Sequence, residues 1–164
     1  MDVRKALAQS YIPAGIISAA SIVALFISAF VLLAQAPAQP GANYTDTSAA
    51  LFAIILLPLV SSALTAGLLV WSGYRAAQAN LAFDEAALAG ASAGAISSVA
   101  YTLASMILAL LFLFFGPTSG TAGLSTGMIA ASSIAMALVN GVLGLFFWAL
   151  AGSALAALGA YLKK

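Results

Sequence analysis

Residues 86–115 read AALAGASAGAISSVAYTLASMILALLFLFF, thirty consecutive positions without an Asp, Glu, Lys, Arg or His. A helix needs about 20 apolar residues to cross about 30 Å of hydrocarbon, so this stretch spans a bilayer with length to spare. Its apolar residues run continuously, without the alternation that marks a membrane strand. Three further uncharged stretches pass the same test: Ile12 to Ala34, Ser48 to Ser72 and Met128 to Leu162. Together they predict an all-α integral membrane protein with four transmembrane helices in a single membrane domain.

The whole chain agrees with that reading. Of its 164 residues, 64% are hydrophobic and only 5% charged, with a mean hydropathy of +1.14; soluble domains carry about 25% charged residues. Five basic and four acidic residues leave a net charge of +1, which gives no field to attract nucleic acid. The chain has no Cys and no His, which removes disulfides, thiolate nucleophiles, imidazole bases and the usual zinc sites. No cofactor motif is present, and the expectation is a non-enzymatic protein without a metal or cofactor.

The positive charges set the orientation. Arg4 and Lys5 precede the first span, Arg75 follows the second, and Lys163 and Lys164 follow the fourth. With four passes all five fall on one side, which the positive-inside rule makes cytoplasmic. The expected protein therefore lies in the cell membrane with both termini and a 73–85 connecting loop in the cytoplasm. Arg4 and Lys5 before an apolar run resemble a signal peptide, but the run is longer than a signal core and Pro37 would follow the Ala34-Gln35-Ala36 cut. The first span is read as retained.

The two halves echo one another. Gly67-Leu68-Leu69-Val70-Trp71 is repeated as Gly144-Leu145-Phe146-Phe147-Trp148, and Ala14-Gly15-Ile16-Ile17-Ser18 resembles Ala93-Gly94-Ala95-Ile96-Ser97. The spacing between the paired segments is also nearly the same in each half. This predicts two tandem helical hairpins, 12–72 and 86–162, repeated in parallel orientation. A duplicated pair of glycine-bearing hairpins resembles the rotary-ATPase proteolipid. That family needs a carboxylate inside the membrane, and no span here contains one, so the resemblance fails at its functional residue. The same absence argues against proton relays, ion-coupled transport and voltage sensing.

Membrane helices associate where small residues let their backbones approach. Gly90, Gly94 and Ser98 form one ridge at four-residue spacing, Gly152, Ala156 and Ala160 a second, and Gly15 with Ala19 a weaker third. Pro58, well inside the second span, predicts a kink. Among intramembrane polar residues, Asn140 stands out because its amide needs a partner that its own helix does not supply; Ser97, Thr102 and Ser105 can bond to their own backbones. Asp84 suits the N-cap of the third helix, and Tyr74, Arg75 and Trp71 suit the interface. Asn43-Tyr44-Thr45 is a glycosylation sequon in a predicted outer loop.

Two functions fit these residues. The first is a structural or accessory subunit that packs against other membrane proteins, or against copies of itself, through its Gly and Ala faces. The second is an oligomeric passive channel or small transporter for a neutral or weakly polar solute, lined by Ser97, Thr102, Ser105 and Asn140. Hydroxyl-lined pores conduct without embedded charge.

Overall fold

The computed structural model describes residues 3–34, 55–115 and 126–163. Four helices account for nearly all of them: α1 (Val3–Ala34), α2 (Leu57–Gln78), α3 (Phe83–Phe115) and α4 (Thr126–Leu162). Each is long and apolar enough to cross a membrane, and no strand occurs among the described residues. The exterior is apolar: Phe30 and Leu150 are each 74% exposed. Such surfaces suit hydrocarbon and would drive aggregation in water. Asn43 lies outside the described residues.

Several helix ends differ from the sequence reading. α1 begins at Val3, nine residues before Ile12, and runs through a fully buried Pro13. The first nine residues are more polar than the span, but nothing in them stops a helix. α2 continues past Trp71 to Gln78, which shortens the 73–85 loop to a tight turn. That turn is a Schellman motif. Leu81 N–H donates to the Ala76 carbonyl (3.1 Å), Asn80 N–H donates to the Ala77 carbonyl (3.2 Å), and Asn80 adopts φ 57°. Asn takes the left-handed position usually held by Gly, and Leu81 provides the accompanying apolar contact.

Pro58 sits in the first turn of α2, directly after a wider π-type turn at Ile55 and Leu56. Asp84 is not the cap of α3. The helix starts at Phe83, and Glu85 reaches back to accept the Ala82 N–H at 3.0 Å, one half of a capping box.

The helices run up, down, up and down, so Ala6, Ala76, Ala86, Ala89 and Ala160 meet at the end that carries both termini. Here α3 and α4 make the most extensive contact, α1 packs on α3, and α2 packs on α4. Helix α2 also touches α3, whereas α1 and α4 do not approach one another among the described residues. A two-fold axis would make those last two pairs equivalent, so the packing of the two hairpins is not two-fold symmetric.

Candidate functional site

Residue size divides the bundle along its length. At the terminal end the helices approach backbone to backbone. Gly90 on α3 lies against the Gly152 carbonyl of α4, and Gly152 lies reciprocally against the Gly90 carbonyl. Gly94 rests on the Trp148 carbonyl, Gly73 on Ala156, and Gly159 on the Val70 carbonyl. A Cβ at any of these positions would overlap backbone atoms of the facing helix. Ala156 is fully buried in the same zone. The ridges Gly90-Gly94-Ser98 and Gly152-Ala156-Ala160 thus meet within a single chain at Gly90, while Gly94 and Ser98 face Trp148 and Gly144 further along α4. Gly15 does not join them: it is exposed, with nothing within 4 Å of where a Cβ would stand, and its neighbour Ala14 is the buried residue.

Above that zone Ala14, Ile17, Leu69 and Ala93 form a dry layer, backed by Trp148, Leu68 and Leu155. Beyond the layer, toward the end away from the termini, the helices part around a cavity of about 760 Å³. This lies within the range of about 300–1,000 Å³ typical of small-molecule sites. All four helices line it. α1 contributes Ser21 and Ser28, and α2 contributes Ser61, Ser62 and Thr65. α3 contributes Ser97, Ser98, Tyr101, Thr102 and Ser105, and α4 contributes Asn140. Among the described residues, no Asp, Glu, Lys, Arg or His lines the cavity.

The hydroxyls differ in how they are committed. Thr65 donates to the Ser61 carbonyl (2.8 Å), Ser97 to Gly94 (2.9 Å), Thr102 to Ser98 (2.8 Å) and Ser105 to Thr102 (2.8 Å). These four have spent their only proton on their own helix and offer lone pairs to anything inside. The hydroxyl of Ser98, a residue 7% exposed, has no hydrogen-bond partner among the described residues. Gly144 faces it, and a Cβ there would stand 3.1 Å from the Ser98 hydroxyl. Gly141 likewise leaves room for Thr102. Asn140 is exposed and also lacks a partner among the described residues, which leaves its amide open at the cavity wall.

The polar residues named from sequence, Ser97, Thr102, Ser105 and Asn140, are thus brought to one cavity, together with Ser98. Sequence reasoning missed the contributions of α1 and α2. Their signal was available as a stripe at helical spacing: Ser21 and Ser28 are seven apart, and Ser61 and Thr65 four apart. Outside the cavity, the Arg75 guanidinium lies 5.1 Å from the Trp71 ring centre. Lys163 Nζ donates to the Ala77 carbonyl at 2.7 Å, which ties the end of α4 to the last turn of α2. No group of three or more metal-ligating side chains occurs among the described residues.

No protein-family model matches the chain, and no curated protein or solved structure is similar to it.

Proposed function

We propose that the protein is a non-enzymatic membrane channel or carrier for a small, uncharged polar solute. The observation that carries this reading is the cavity of about 760 Å³, lined by hydroxyls and an amide from all four helices and, among the described residues, by no Asp, Glu, Lys, Arg or His. A bare ion entering it would give up hydration with no opposite charge to replace it. A neutral solute exchanges water hydrogen bonds for hydroxyl hydrogen bonds. The dry layer of Ile17, Leu69 and Ala93 closes the inner end of the cavity, which fits a carrier or a gated pathway better than an open pore.

The same proposal places the protein in the cell membrane with Lys5, Arg75 and Lys163 cytoplasmic, so that the cavity opens toward the outer side. The two hairpins are read as a tandem duplication. That reading rests on the sequence echoes, since Leu69 lies beside Gly152 and Gly73 rests on Ala156, which sets Trp71 closer to the terminal end than Trp148. The decisive experiment is solute-driven shrinkage of proteoliposomes followed by light scattering. Glycerol or urea should pass faster than through protein-free vesicles while sodium and chloride do not, and Asn140→Leu should slow the flux several-fold. Equal rates with and without protein would end this reading.

A second reading, a subunit that associates with other membrane helices or with itself, is favoured by Gly15 and Gly67. Both face outward with nothing within 4 Å of a Cβ position, while the larger glycine ridges are used inside the chain. The mass of the particle extracted in mild detergent tests it: a chain that runs alone contradicts it.

A further inference from the structure

The floor of the cavity carries three hydroxyls that are more than nine-tenths buried: Thr65 at 7% exposure, Ser97 at 5% and Ser98 at 7%. Two of them present lone pairs to the cavity, because Thr65 and Ser97 donate their protons to the Ser61 and Gly94 carbonyls. Turning either proton inward forfeits that bond, although the carbonyl keeps its own helical N–H. Ser98 is different. Its hydroxyl has no hydrogen-bond partner among the described residues, it lines the cavity, and Gly144 keeps the space in front of it clear. Its hydroxyl is the one that can donate. The floor therefore offers two acceptors and one donor, and a matching solute must bring two donors and one acceptor on adjacent atoms.

We propose that Thr65, Ser97 and Ser98 form a subsite for the carboxamide group of a small neutral amide or urea. The two N–H bonds of the –C(=O)NH₂ group donate to Thr65 Oγ1 and Ser97 Oγ, and its carbonyl accepts from Ser98 Oγ–H. A polyol presents each oxygen as donor and acceptor alike and gains no such selectivity. An amide without N–H bonds leaves the two acceptors unmet, and a site built to bond a polar group rejects analogues that lack it. The assignment rests on the reading of the cavity as a neutral-solute site.

Trp148 lines the same cavity and serves as the reporter once Trp71→Phe makes it the only tryptophan. Acetamide, N,N-dimethylacetamide and glycerol are titrated separately into the purified full chain in detergent, and the saturable part of the Trp148 emission change is read. Acetamide should saturate at a concentration at least about fivefold below the other two. Ser98→Ala and the shape-conserving Thr65→Val should each raise its half-saturation point by about five- to tenfold, the loss of one hydrogen bond. Elution volume and helix content verify that each variant is folded. If Ser98→Ala alone fails to fold, Thr65→Val carries the same test. Equal responses to the three solutes, or an unchanged acetamide response in the variants, overturn the carboxamide assignment and leave the cavity reading standing. No saturable response to any solute overturns both.

Discussion

The terminal half of the bundle and the half that surrounds the cavity are built from the same four helices, yet one is closed and the other open. In the closed half the facing residues are Gly73, Gly90, Gly94, Gly152 and Gly159, with alanines between them, and the helices meet at their backbones. In the open half the cavity wall sets Ser, Thr, Tyr101 and Asn140 among Leu25, Met136 and small residues, and no layer of buried apolar side chains among the described residues fills the space between the helices. Lipid supplies no hydrophobic force between membrane helices. Side-chain size and polarity along each inner face therefore decide where the bundle closes, and Leu69 with Ile17 marks the border.

That contrast can be broken from the closed side with the largest effect. Gly90→Leu combined with Gly94→Leu inserts two side chains where the Gly152 and Trp148 carbonyls already lie. At about 1–3 kcal/mol for each overpacked position, the pair should remove at least about 3 kcal/mol. Thermal unfolding in detergent, followed by elution volume, reads the loss; a parent-like transition would show that the close approach contributes nothing. Leu69→Ala, at a fully buried residue of the border layer, should cost about 2–5 kcal/mol. It should also join the cavity to the closed half, seen as greater accessibility of Trp148 to acrylamide. Lower stability without greater accessibility would separate the border's packing role from its sealing role.

Smaller effects sharpen the comparison. The Ser72 hydroxyl is fully buried and has no partner in the closed half. Ser72→Ala should therefore be neutral or raise stability, by about 1 kcal/mol at most. A clear loss in the same unfolding measurement would show that the hydroxyl is hydrogen-bonded in the folded protein. Gly15→Leu adds a side chain in open space and should change monomer stability by less than about 0.5 kcal/mol. Any shift in particle mass from that variant would instead point to an interface on α1.

The four helices were legible because apolar length is a strong signal and no charge interrupts it. Their ends were harder to read. The polar residues around Gln9 and Arg75 are ordinary helix formers, so α1 and α2 run past the limits that hydropathy suggests. The α2–α3 turn was hidden because Asn80, not a glycine, takes the left-handed position. Glu85 rather than Asp84 completes the start of α3, since the reach to the Ala82 N–H is made from the third helical position. In the site, Asn140 was conspicuous because an amide cannot satisfy itself within its helix. Ser21, Ser61 and Thr65 carried no such mark, because a hydroxyl that can bond its own backbone looks the same whether it faces lipid or a cavity.

The unequal contacts of the two hairpins also bear on how the chain is made. α1 and α2 touch each other sparingly and find most of their packing on α3 and α4. A chain synthesised from its N-terminus delivers α1 and α2 to the bilayer first, before the surfaces that hold them exist. The first hairpin then waits in lipid as a loosely joined pair, its serines without their final neighbours. Only when α4 leaves the insertion machinery can Gly90 meet Gly152 and the whole bundle close at once. Closure of this four-helix bundle is in that sense completed by α4, and a ribosome stalled before residue 126 would leave a product that is inserted but not assembled.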